Sequence, residues 1–296
     1  MASLTSWLKR NADGVIALLI AVTVGGLAVL EVLGTDQVNA AILVVLALLA
    51  ATLLKDRQSA AKALNDAVAV HQLTGAEVGQ EHAESHRQTD QWMFKGGTGT
   101  YLRAVTLREC VDNARRERRP LRMQLEIIDP TDEPLCTAYA QFRSSLTPGP
   151  DGTGESWTVD RTRKESFATV LAACWYRQRF TFLTVEVGLS KVMTTFRWDL
   201  SSHSVIMTQD DPAGPALMFE KGKPYYSAYS RELVASFKQT RRVHLDNAAE
   251  LQLSDEPTVE ETRNLFDMLE LELPRSFSDR DVSDVIGKAL RAKNPY

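Results

Sequence analysis

Cysteine is scarce in this chain of 296 residues: Cys110, Cys136 and Cys174 are too few for a disulfide framework and too widely spaced for a zinc knuckle. That usage suits a reducing compartment. The chain also lacks a G-x-x-x-x-G-K-[ST] run and a complete G-x-G-x-x-G fingerprint, so the standard phosphate-loop signatures are missing. No G-x-S-x-G elbow occurs, and the closeness of Asp199, His203 and Ser204 in sequence is not triad geometry. Ionisable residues are absent from Val15 to Leu30 and from Ala40 to Leu54, which argues against a proton relay or ion pathway inside those stretches.

The two uncharged stretches are the strongest pattern present. With Glu31 at headgroup level the first extends to Leu33, and the second begins near Val38. They amount to roughly 19 and 17 residues at about 1.5 Å each, enough to cross a bilayer. Residues 1–54 are therefore predicted to form a transmembrane hairpin, the alternatives being a buried helical hairpin of a water-soluble core or a hairpin lying in the interface. Lys9, Arg10, Lys55 and Arg57 flank the stretches and Gly34-Thr35-Asp36-Gln37 carries no positive charge, which predicts a multi-pass plasma-membrane protein with both termini cytoplasmic. The second apolar segment follows at once, against a cleaved signal peptide. Gly25, Gly26, Ala47, Ala50 and Ala51 offer small surfaces for hairpin packing or a homo-oligomer.

Residues 55–90 read as a helical stalk and linker, with Ala60, Leu64 and Val68 at helical spacing. His82 and His86 stand at i, i+4; two such histidines can share a metal, but no third ligand is evident and a solvated helix face is the preferred reading. No metal site and no cofactor are expected. Residues 91–245 form the predicted cytosolic α/β domain. Trp92 to Lys95 is strand-like, Gly96-Gly97-Thr98-Gly99-Thr100 turns the chain, and Tyr101 to Arg119 is helical. Such a turn is either simply tight or a cradle for an anion, with Lys95, Gly97, Thr98, Thr100 and Arg103 as its contacts. Leu121 to Ile128 is an alternating strand stopped by Pro130, which puts Asp129 at a ligand-facing rim. Asp132 caps the next helix, which carries Arg143.

Thr147 to Glu155 reads as a loop and Trp157 to Arg179 as a helix. Strands then follow at Phe180 to Val187, Val192 to Leu200, Ser204 to Thr208 and Ala216 to Phe219, before a helix from Tyr225 to Arg242. Alternation places Arg197 and Asp199 on one face of their strand, as a structural ion pair or as part of a recognition pocket. Residues 246–296 are an acidic helical appendage: Asp246 to Asp284 holds twelve acidic and three basic residues, so the net charge of -4 hides an asymmetric chain. Leu265, Phe266 and Leu269 give that appendage an apolar face for docking.

The run Trp92-Met93-Phe94-Lys95-Gly96-Gly97-Thr98-Gly99-Thr100-Tyr101-Leu102-Arg103, with Leu125-Glu126-Ile127-Ile128-Asp129-Pro130-Thr131 and the later strands, resembles regulatory domains with a phospholipase-D-like fold, found mainly in actinobacteria. The likeness covers about Gln91 to Leu245. It implies an α/β fold class: a phospholipase-D-like single mixed-sheet domain, here preceded by the transmembrane hairpin. The catalytic His-x-Lys motif of that family is missing, since His203 precedes Ser204-Val205 and His244 precedes Leu245-Asp246, so no catalytic residue is assigned. The DNA-binding head of such regulators is missing too, and no nucleic-acid partner is expected. The architecture also resembles inner-membrane effectors of nucleotide-signalled antiviral defence. The function expected is a non-catalytic, membrane-anchored sensor of a cyclic nucleotide or other small anionic ligand. The alternatives are a membrane-bound phosphodiesterase or transferase, or an anchored protein-binding scaffold. Partners expected on this reading are the lipid bilayer, the small ligand and further copies of the chain.

Overall fold

The computed structural model describes residues 34–67, 70–146, 156–210 and 214–294, together with Leu19, Ile20, Val22, Thr23 and Leu27. The chain divides into two compact units between Ala69 and Val70.

In the first unit a helix, α1, runs over Thr35–Ala67 with Asp36 in its first turn, where a carboxylate complements the helix dipole. Ile42, Leu43, Leu46, Leu49, Leu53 and Leu54 are exposed on it. Among the described residues no helix is long and apolar enough to cross a membrane. The uncharged run from Ala40 to Leu54 spans only about 22 Å at ~1.5 Å per residue, short of a ~30 Å hydrocarbon core. Lys55, Asp56 and Arg57 follow in the same helix. The first predicted span lies outside the described residues except at the five positions named above. The expectation of a two-span hairpin is thereby corrected. With it fall the bilayer partner and the multi-pass plasma-membrane location.

The second unit is α/β, built on one mixed eight-stranded sheet. In chain order it comprises β1 (Val70–Leu73), α2 (Ala76–Gln88), β2 (Gln91–Lys95), a π-helical turn at Leu102–Thr106 leading into α3 (Leu107–Glu117), β3 (Leu121–Ile128), α4 (Glu133–Leu146) and α5 (Val159–Arg179). Then come β4 (Leu183–Ser190), β5 (Phe196–Leu200), β6 (Ser204–Gln209), β7 (Ala216–Glu220), α6 (Pro224–Lys238), β8 (Arg241–Val243), α7 (Val259–Met268) and α8 (Asp279–Leu290). The strands lie in the order β1-β7-β6-β5-β2-β3-β4-β8. Parallel pairing is confined to β2-β3-β4, in the register Phe94↔Leu125↔Val187. Every other pairing is antiparallel, so β2 sits where parallel and antiparallel halves meet.

Alternation along the strands sorts the core. Trp92, Phe94, Met123, Leu125 and Ile127 point to one face, where they pack with Phe167 and Leu171 of α5 and with Phe266 and Val285 of the C-terminal helices. Met93, Leu200, Val205 and Phe219 point the other way, against Leu233 of α6. Thr258 and Ser278 start α7 and α8 with reciprocal capping boxes to Glu261 and Asp281, which satisfy amides that would otherwise lack partners. Nothing in this topology supports the phospholipase-D-like fold, and the residues that suggested it serve local packing, as described next.

Candidate ligand-binding site

The glycine turn after β2 is filled by the protein itself. A Cβ on Gly97 would lie 2.1 Å from the Tyr139 hydroxyl, and Gly99 has φ +77° with Thr169 beside it. The hydroxyls of Thr98 and Thr100 face each other at 3.0 Å, and Thr100 donates to Glu165. Arg103 is buried and donates to the Lys288 and Glu165 carbonyls, the Thr169 hydroxyl and the Glu165 carboxylate. Burial raises Glu165, but Arg103 and Lys288 together bring its carboxyl down to about 2. Lys95 stands 5.6 Å above the Trp198 ring. Asp129 does lie at the carboxyl end of β3, where Arg241 grips both its oxygens at 2.9 Å and Thr131 donates to it at 2.6 Å. Arg143 pairs with Asp210 at 3.0 Å and lies on Trp157.

Arg197 and Asp199 are the sequence-derived residues that the fold gathers into a different site. They share one face of β5 with Nε to Oδ2 at 3.1 Å, and the Trp92 indole donates to Asp199 Oδ1 at 3.2 Å. Beside them opens a cavity of about 340 Å³, bounded by α2, Tyr101 and the ends of β5 and β6. Ala76, Gly79 and His82 recur every third residue, so one stripe of α2 forms its wall. Gly79 leaves that wall open, because a Cβ there would meet nothing within 4 Å. Arg197 lies over the Tyr101 ring at 5.0 Å, and His82 meets the same ring edge-on at 5.5 Å.

Two polar groups on the wall of this cavity lack partners. His82 is 1 % exposed, yet neither ring nitrogen has a hydrogen-bond partner, and the buried Thr208 hydroxyl on the cavity wall also lacks one. Such groups are costly to bury unpaired, and in native proteins they mark places where a ligand, ion or water completes the set. A larger cavity, about 440 Å³, lies between the sheet and α6; Arg122 and Arg242 on its wall both pair with Glu186, and Lys238 adds a further charge. Its described lining includes no buried polar group without a partner, which makes it the weaker candidate.

Burial holds His82 well below the ordinary histidine range, and Arg197 and His86 add to this. Burial likewise lowers His86, against its 2.8 Å contact with Glu109. Asp199 is pushed up by burial, with Arg197 opposing. A histidine depressed in the folded state binds fewer protons there than when unfolded, so stability is full above 6.5 and falls as pH drops below it. Asp199 acts with the opposite sign in its own range above 3.8. Urea midpoints are expected to fall between pH 7.5 and pH 5.5, and less steeply for His82→Gln; an identical slope in that variant would count against its buried neutral state.

No carboxylate is among the described lining residues, while Arg197, Gln209, Thr208 and Asn294 all present donors. His82 and Thr208 do not hydrogen-bond each other, so the wall contains no nucleophile held by a base. Among the described residues no three His, Cys, Asp or Glu side chains are placed to hold a metal. All three cysteines are buried, and burial pushes the Cys136 and Cys174 thiols up to about 12. The histidines of this site were legible in the sequence only as an i, i+4 pair, in a segment whose polarity read as solvated; Trp92 and Tyr101 cover them here.

No family model matches the chain, and no curated protein matches it. The resemblance to phospholipase-D-like regulatory domains is therefore not upheld. Among solved structures, that of TrmBL2, an archaeal chromatin protein described as showing a novel mode of DNA binding, aligns with TM-score 0.32 and 7% identity over 71% of each chain. A likeness that remote bears on neither fold nor partner, nor on the expected absence of a nucleic-acid partner. Nothing in these comparisons supports a lipid or a nucleotide as partner.

Proposed function

We propose that the α/β unit is a non-catalytic recognition domain that binds a small oxyanionic molecule in the cavity between α2 and the β5-β6 ends. The observation that carries this reading is His82: a side chain buried to 1 %, with both nitrogens unpartnered, facing a cavity of small-molecule size. The sign of the ligand follows from described lining residues that include a guanidinium and several neutral donors and, among them, no carboxylate. The positive charge at the cavity is that of Arg197, since the N-terminus of α2 already carries the Glu77 carboxylate in its first turn.

The test is to fill the cavity without disturbing the fold. Gly79→Leu puts a side chain where a Cβ meets nothing, and replaces glycine inside a helix by a residue about 0.8 kcal/mol better suited to it. Calorimetric titration of the full chain with a panel of small carboxylates and phosphate monoesters is expected to find a binder that the variant no longer takes, at unchanged or higher thermal stability. A binder that Gly79→Leu accepts as well as the parent does would place recognition elsewhere.

A further inference from the structure

The protonation state of His82 couples to whatever enters the cavity, an inference that rests on the oxyanion reading above. A neutral imidazole offers one N–H and one lone pair. The charged and titratable groups around it come from four elements. Arg197 of β5 lies over Tyr101, which leads into the π-helical turn, and His86 stands one turn further along α2 with its Nδ1 on Glu109 of α3. Asp199 lies behind, bound by Arg197 and by the Trp92 indole of β2. None of these hydrogen-bonds His82. Burial first, and then Arg197, which opposes a second positive charge nearby, keep the ring neutral in the absence of an anion.

An oxyanion in the cavity reverses that balance. Its charge offsets Arg197, and its oxygens would otherwise face the lone pair of the neutral ring, acceptor against acceptor. Converting that lone pair to N–H replaces a repulsion by a charge-assisted hydrogen bond at a buried ring, where such bonds are stronger than in water. We propose that the cavity takes up its oxyanion together with one proton on His82, so that binding is tighter at lower pH. The proton comes from the buffer acid; one N–H bond forms on the ring, and no bond of the ligand breaks.

Titration of the full chain with benzoate and benzenesulfonate, whose charges are fixed near neutrality, separates the two claims; neutral benzamide is the control. At pH 7 in two buffers of different ionisation enthalpy, the heat of oxyanion binding is expected to differ by the equivalent of about one proton, and the affinity to fall by up to about tenfold per pH unit on going alkaline. His82→Asn should still bind, more weakly, with the same heat in both buffers, and benzamide should show no proton uptake. Preference for the planar or the tetrahedral anion assigns the ligand class, and either preference with proton uptake supports the proposal. Binding that Gly79→Leu abolishes but that is independent of buffer overturns the proton step and leaves the ligand site standing. Failure of both oxyanions to bind, or binding indifferent to Gly79→Leu, overturns the site itself.

Discussion

Arg103→Ala is expected to lower the stability of the α/β unit by about 3–5 kcal/mol, read as a fall in the urea midpoint, because it removes one partner from a buried ion network and leaves the other in place. Arg103 and Glu165 side chains are 1% and 4% exposed, and the same guanidinium holds the Lys288 carbonyl at 2.6 Å. The network thus ties the π-helical turn, α5 and α8 together, with Lys288 completing it 3.1 Å from Glu165. Replacing both Arg103 and Glu165 by apolar residues of similar volume should cost less than the single change, since no buried charge is then stranded. The linkage has a definite sign. Glu165 is depressed from 4.5 to about 2, so its contribution is full above 4.5 and is lost as pH falls toward 2. Wild type should lose stability through that window and Glu165→Gln should lose less of it. A drop below about 1 kcal/mol for Arg103→Ala would mean that water replaces the guanidinium at no great cost, and would reopen a ligand role for that residue.

The contrast between Arg103 as a phosphate contact and Arg103 as a core residue shows what a sequence can and cannot carry. Local patterns were readable. Leu121–Ile128 is a strand with the expected ends, because alternation fixes its face and Pro130 stops it, and Asp132 caps the following helix through the Leu135 amide at 3.0 Å. Ser204 and Ala216 begin their strands as expected. What failed was decided by residues distant in sequence. The glycine turn looks like a cradle until Tyr139 arrives from α4 to fill it. The helix expected to reach Arg242 ends at Lys238, because Arg241–Val243 is drawn into pairing with β4, a tertiary choice that local propensity does not encode. His82 and His86 lie in a segment rich in Glu and Gln, and only the packing of α2 on Trp92 and Tyr101 makes them interior. The apolar run of α1 was legible with its length, but α1 continues through Lys55, Asp56 and Arg57 and does not stay apolar for the length a span needs.

The second large effect is expected at Asp199, where stability and recognition should move in opposite directions. This carboxylate is 1% exposed, receives the Trp92 indole N–H at 3.2 Å and lies 3.1 Å from Arg197 Nε. Asp199→Ala deprives the Trp92 indole of its acceptor and Arg197 of the Asp199 charge in a buried setting, and about 3–5 kcal/mol of stability should go with it. Asp199→Asn keeps an oxygen for Trp92 and sheds only the charge, so the loss should be nearer 1–3 kcal/mol. In that milder variant Arg197 no longer has a formal negative charge at its side, and the potential at the cavity becomes more positive. Affinity for benzenesulfonate is therefore expected to rise severalfold while the urea midpoint falls, a pairing that simple structural damage would not produce. If affinity and stability fall together in Asp199→Asn, the carboxylate acts by positioning Arg197 rather than by neutralising it. The cavity would then owe its preference for anions to a well-placed Arg197 and to His82.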